Sequence, residues 1–157
     1  MKKWSLIIAA AVVAALIWKS WSLYHGIETE HQRELTVAAE TAKQSHNLKQ
    51  VLDVSYYHGT KVYHVVKAVN QNGKKIYIWI PEKKGKTFIK KVSQGWNKSK
   101  VRQFAKNQLN PKKLLDIRLG VESKIPVWEV IFIDQKDRYT FYYLRFDGQD
   151  WVKNIHL

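Results

Sequence analysis

Residues 74–80, KKIYIWI, alternate without a break, with Ile76, Ile78 and Ile80 on one side and Tyr77 and Trp79 on the other. A period of two marks a strand with two distinct faces, and the same pattern runs through most of the chain. VLDVSYYHG (51–59) is rich in β-formers and closes on Gly59; KVYHVVKAV (61–69) alternates again. Asn72-Gly73 is a strong two-residue hairpin signal. Pro81 ends the third run, and KTFIKKV (86–92) predicts a fourth strand. The pattern then restarts. Asn97 predicts the cap of a helix running to about Leu109, with Val101, Phe104, Ala105 and Leu109 on one side, until Asn110-Pro111 stops it. Strands are predicted at 113–121, 126–134, 138–146 and 150–157, joined by a tight turn at Gln135 to Asp137 and a second two-residue hairpin at Asp147-Gly148.

The two halves overlay. Leu52-Asp53-Val54 matches Leu115-Asp116-Ile117, Tyr63-His64-Val65-Val66 matches Trp128-Glu129-Val130-Ile131, Ile76-Tyr77-Ile78 matches Phe141-Tyr142-Tyr143, and Phe88 to Val92 matches Trp151 to Ile155. A helix precedes each set of strands. For the first half it is read over 28–50, where Leu35, Ala38, Ala39 and Ala42 recur at helical spacing. The expected fold class is α+β, two tandem units of one helix packed on a three- or four-stranded antiparallel sheet. Each is about 60 residues and marginal alone, so the two are expected to pack on each other.

Ahead of this body stands an apolar segment, WSLIIAAAVVAALIWKSWSLY (4–24), with only Lys2 and Lys3 before it. The uninterrupted run, Trp4 to Trp18, approaches the ~20 residues of a membrane span, and Trp21, Leu23 and Tyr24 extend it into the interface. A cleaved signal would show small residues just after the apolar core. Here those positions are Leu16, Ile17, Trp18 and Trp21. The segment reads as an uncleaved transmembrane anchor, 4–24, joined near Gly26 to the body. Residues 1–3 then lie in the cytoplasm and the body outside, by the bias of positive charge. The boundaries that follow are 25–93 for the first unit and 94–157 for the second.

Charge is uneven. The net charge is +14, and residues 83–113 hold eleven Lys and Arg and no Asp or Glu. Lys83, Lys84, Lys86, Lys90, Lys91, Lys98, Lys100 and Arg102 are the candidate partner or polyanion surface. Such a field attracts anionic wall polymer or acidic lipid headgroups. An extracytoplasmic body argues against nucleic acid. A solvated, solubilising face is the competing explanation. Tyr77 and Trp79 form a candidate aromatic face, either a binding surface or inter-unit packing.

The sequence offers no catalytic, cofactor or metal motif. There are no cysteines, which removes thiol catalysis, disulfides and Cys-type metal sites. The six histidines, at 25, 31, 46, 58, 64 and 156, show no metal-ligand spacing. No G-x-S-x-G elbow exists. Asp53 and Asp116 are the one hint of paired carboxylates, and strand-start residues serving the turn are the plainer reading.

With Lys61-Val62-Tyr63-His64-Val65-Val66-Lys67, Ile76 to Pro81, Pro126-Val127-Trp128-Glu129-Val130 and Gly148 to Ile155 in place behind an N-terminal anchor, the chain resembles the YpmB/TseB-like proteins of Gram-positive bacteria. That family is described as cell wall elongation regulators built from two PepSY-like (cystatin-like) repeats. The resemblance implies a non-enzymatic bitopic membrane protein, without cofactors, whose outer part binds a penicillin-binding transpeptidase during sidewall synthesis. Two alternatives stay open: a module binding teichoic acid or anionic lipid through 83–113, and a PepSY-like peptidase inhibitor.

Overall fold

The computed structural model describes residues 15–19, 33, 35–149 and 151–157. Residues 1–37 and 38–157 form two units. In the first, residues 15–19 are helical, with Leu16, Ile17 and Trp18 exposed. Among the described residues no helix is long and apolar enough to cross a membrane. The remainder of the expected anchor and the Gly26 joint lie outside the described residues.

The second unit is α+β, with two four-stranded antiparallel meanders in the orders β1-β2-β3-β4 and β5-β6-β7-β8. The first sheet comprises β1 (Leu48–His58), β2 (Val62–Asn70), β3 (Lys75–Pro81) and β4 (Phe88–Lys91). The second comprises β5 (Lys113–Glu122), β6 (Ile125–Ile133), β7 (Tyr139–Arg145) and β8 (Trp151–His156). Helix α1 (35–45) precedes the first sheet. A 3-10 turn (Val92–Gln94), helix α2 (Lys98–Phe104) and a π-helical turn (Ala105–Leu109) separate the sheets.

Both helices end where local chemistry stops them. The Asn97 side chain accepts from Lys100 N at 2.8 Å, the expected N-cap. Asn110, at φ 43, ends the helical run in the left-handed region. Helix α1 stops earlier than expected. Asn47 turns left-handed at φ 46, and Leu48 begins β1, so 48–50 are strand and not helix. Leu48 is buried at the strand start, and that packing outweighs helical propensity.

Pairing registers relate the two sheets. In β1 the ladder skips between Val51 and Asp53, and in β5 between Leu114 and Asp116. Leu52 and Leu115 are therefore matching bulge residues, both left exposed. The β2–β3 and β6–β7 turns also match. Asn70 N donates to Lys74 O and Gly73 N to Asn70 O, as Asp134 N does to Arg138 O and Asp137 N to Asp134 O. Asn70 Oδ1 accepts from Asn72 N and Lys74 N; Asp134 Oδ1 accepts from Lys136 N and Arg138 N. The two-residue hairpin expected at Asn72-Gly73 is thus a longer loop, with Gly73 left-handed at φ 71 as Asp137 is at φ 61. Asp147-Gly148 likewise sits inside the longer β7–β8 loop, where Gly148 N donates to Arg145 O.

The ladders correct the overlay read from sequence. Val54 pairs with Val66 and Ile117 with Val130, which sets Val66 against Val130 and Tyr63 against Val127, not Trp128. Val66 pairs on with Ile78 and Val130 with Tyr142, so Ile78 matches Tyr142, not Tyr143. The β5–β6 hairpin continues to Glu122–Ile125, one residue more than its counterpart at His58–Val62. Matching aromatic to aromatic hid that extra residue, and a one-residue slip exchanges the faces of a strand.

In the corrected register the helices cover equivalent faces. Ala42 of α1 packs with Leu48, Val66, Ala68, Ile76 and Ile78. Val101 and Ala105, from α2 and the π-turn, pack with Ile117, Trp128, Val130 and Phe132. The other face of the first sheet (Tyr57, Tyr63, Val65 and Trp79) belongs to that same larger core. Phe146 joins the sheets edge-on, 5.9 Å from Tyr77 and 5.4 Å from Trp79. Its ring lies over Gly95, where a Cβ would overlap it. At the opposite end the Tyr57 ring lies against Gly120, again in space a Cβ would fill.

Candidate functional site between the sheets

Each strand of the first sheet contributes one residue to a row, Asp53–Lys67–Tyr77–Lys90, on the face away from α1. The bulge at Leu52 restores alternation so that Asp53 and Ser55 point the same way as Tyr57. Opposite stand Asp116, Ile117, Arg118 and Leu119 of β5 and Trp128 of β6, with Lys98 of α2 at the side. Together these walls enclose a cleft of about 420 Å³ with a floor of Val65, Ile117, Leu119 and Trp128.

The two walls differ in how far their charges are satisfied. Asp116 accepts from Ile117 N and from Arg118 Nε, both at 2.7 Å. Burial raises its carboxyl, but the Arg118 and Ile117 hydrogen bonds and the charges of Arg118 and Lys98 outweigh that and hold it below its ordinary value. Lys67 lies over the Tyr77 ring, 5.8 Å from its centroid. Burial, then the Asp53 charge, push the Tyr77 phenol up. Asp53 and Lys98 make no hydrogen bond or ion pair among the described residues, and Asp53 is not ion-paired with its ladder neighbour Lys67. The repeat-related aspartates therefore line one cleft from opposite walls; they sit at bulges within strands, not at turns.

A polar cluster that sequence reasoning did not single out lies on the face of the second sheet away from α2. Arg118, Glu129, Tyr143 and Lys153 form one cross-strand row there. Glu129 and Glu122 are both 3 % exposed. Glu122 takes a 2.6 Å hydrogen bond from Thr60 Oγ1 and an ion pair from Lys153 at 2.9 Å. Those contacts outweigh burial and lower its carboxyl. Glu129 goes the other way: burial raises it, and the Tyr143 hydrogen bond and Arg118 charge offset this only in part. Burial and Glu129 together push the Tyr57 and Tyr143 phenols far above their ordinary range. The legible signal was a lone Glu inside the apolar run of β6.

The basic stretch is not gathered into one site. Lys83 and Lys84 join Lys61, from the β1–β2 turn, around a depression of about 370 Å³. Lys90 lines a third cleft with Gln94, Arg145 and Phe146. Lys98 borders the inter-sheet cleft. Lys86 lies over Phe88 at 5.4 Å and Lys100 over Trp96 at 4.4 Å. Lys91 and Arg102 are exposed on β4 and α2. Of the aromatic pair, Trp79 is fully buried, and Tyr77 is half-buried between the cleft and Phe146. Among the described residues no group of three His, Asp or Glu could hold a metal.

The fold defines a two-sheet α+β protein with a helix on the equivalent face of each sheet and a cleft between the sheets. Residues 37–81 match the cell wall elongation regulator TseB-like domain. Over 99 % of its length the chain is 28 % identical to 99 % of the "Probable cell wall elongation regulator TseB" of Bacillus subtilis (strain 168). The solved structure of the "YpmB protein from Bacillus subtilis" superposes with a TM-score of 0.70 at 29 % identity, covering 78 % of this chain and 96 % of that one. The chain is thus similar to the TseB-like proteins that the residues of its sequence resemble.

Proposed function

We propose that this chain is a membrane-anchored regulator of cell wall elongation that acts without catalysis, by contacting a penicillin-binding transpeptidase outside the membrane. The carrying observation is end-to-end sequence similarity to a protein named as a probable elongation regulator, beside a likeness in fold over 78 % of the chain to a solved structure. In this reading 4–24 is the single-pass anchor, the N-terminus is cytoplasmic, and 25–93 and 94–157 are tandem PepSY-like repeats.

The contact runs through a sheet edge. Strands β4 and β8 each have one ladder partner, so apart from Lys91 N–H, which donates to Gln94 Oε1, their outer backbone groups are open to strand addition. Trp79 is inside the body and contributes no surface. Two proteins tethered to one membrane meet at high effective concentration, so a weak contact suffices. The test is photo-crosslinking in the native membrane, with the probe at Lys90 on β4 or Asn154 on β8. One dominant transpeptidase adduct supports the reading. Adducts to wall polymer or lipid alone overturn it.

A second reading has its own support. From Lys83 to Arg102, none of the eight candidate cations has a carboxylate within ion-pair distance among the described residues. Unpaired cations favour an anionic polymer such as teichoic acid. Retention of the full chain on immobilised polymer then falls steeply between 0.1 M and 1 M salt, as the Debye length shrinks from ~10 Å to ~3 Å. Salt-insensitive retention would exclude it.

A further inference from the structure

We infer that the cleft between the sheets is a binding site for a short peptide carrying a free amino group and a free carboxylate. The inference rests on the cleft alone and holds whichever macromolecule the body contacts. A cleft of about 420 Å³ lies within the ~300–1,000 Å³ typical of small-ligand sites, and a junction between packed elements is a usual place for one.

Charge selects the ligand. The cleft carries Asp53, Asp116, Lys67, Lys98 and Arg118. The Asp116–Arg118 pair, at 2.7 Å, balances its own charge. That leaves a carboxylate, Asp53, on one wall and an ammonium, Lys98, at the side, neither with a hydrogen bond or ion pair among the described residues. Among the described residues Lys67 is engaged by the Tyr77 ring alone. A polyanion would meet Asp53 and Asp116, and a simple cation would meet Lys67 and Lys98. A ligand with both charges answers both ends. Between them Val65, Ile117 and Leu119 offer an aliphatic floor, suited to small apolar side chains. Ser55, which makes no side-chain hydrogen bond among the described residues, is available to a peptide group. The Asn97 cap fixes the start of α2 and with it the place of Lys98.

The test uses the full chain in detergent micelles and ligand-observed saturation-transfer NMR. Tri-alanine with free ends is compared with its N-acetylated and its C-amidated forms. The free peptide is expected to bind, and each blocked form to bind about tenfold more weakly, the scale of one lost hydrogen bond to a charged group. Asp53→Asn abolishes the preference for a free amino end and keeps the other. Lys98→Gln does the reverse. Both side chains are exposed, so neither variant threatens folding. Equal titration of the free and blocked peptides, no saturation transfer, or variants that leave both preferences intact would overturn the inference.

Discussion

Glu129 shows what one side chain can reveal about the whole body. Its carboxyl is buried and raised above the ordinary 4.5, so the folded protein holds a proton that the unfolded chain releases. Its contribution to stability is full below pH 4.5 and is lost as pH rises through the folded value. Asp116 and Glu122, both lowered, act in the opposite sense and lose their contribution as pH falls through their folded values. Glu129→Gln keeps an acceptor for Tyr143 and removes the ionisation. Thermal melts from about pH 4 to about pH 8 should therefore show a higher Tm for the variant at the alkaline end and a flatter profile. A profile parallel to the parent would reject the assignment. Gly120 is the other telling residue. A Cβ there would overlap the Tyr57 ring, so Gly120→Ala should cost about 1–3 kcal/mol in denaturant unfolding. Tyr57→Leu in the same chain should restore part of it. An unaffected Gly120→Ala variant would show that Tyr57 is free to move aside.

At the scale of elements, the matching turns carry the sharpest prediction. Asp134 occupies the place of Asn70 and accepts the equivalent two backbone hydrogen bonds. Burial raises its carboxyl, but the hydrogen bonds from Arg138 and Lys136 outweigh that and hold it at about 2. The stabilisation is therefore present above 3.8 and lost as pH falls towards 2. Asp134→Asn should fold and shed that acid sensitivity, whereas Asp134→Ala should be the less stable of the two at neutral pH. The reverse order in urea melts would mean that charge, not turn geometry, matters there. The strands themselves were legible in the sequence within a few residues, because period-two alternation reports directly which side of a sheet meets a core. The second helix was equally plain from Asn97. Less visible were the bulges, since Leu52 and Leu115 read as ordinary apolar positions. The overlay slipped by one because side-chain likeness says nothing about hairpin length. The end of α1 was missed because Leu48 fits a helical stripe as well as a strand. The cleft was half legible. Asp53 and Asp116 stood out as equivalent positions, but that two sheets would bring them to opposite walls is a property of packing.

For the molecule as a whole, the question is whether the sheets melt together. The core spans both, and Phe146 bridges them through Tyr77 and Trp79. Unfolding of 38–157 is expected to be a single transition seen alike by near- and far-ultraviolet circular dichroism. Phe146→Ala should remove about 3–5 kcal/mol and split that transition, because each sheet keeps its own helix when the bridge is gone. One transition at an unchanged midpoint would place the coupling elsewhere.

The meander order has a kinetic consequence. Every strand pairs with its neighbour in sequence, so each rung of either ladder forms by closing a short loop, the fast event in folding. The chain can zip hairpin by hairpin as it is delivered from its N-terminal end, and no strand waits for a distant partner. What must wait is the far side of the first sheet, where Trp79 stays bare until Phe146 arrives from the last hairpin.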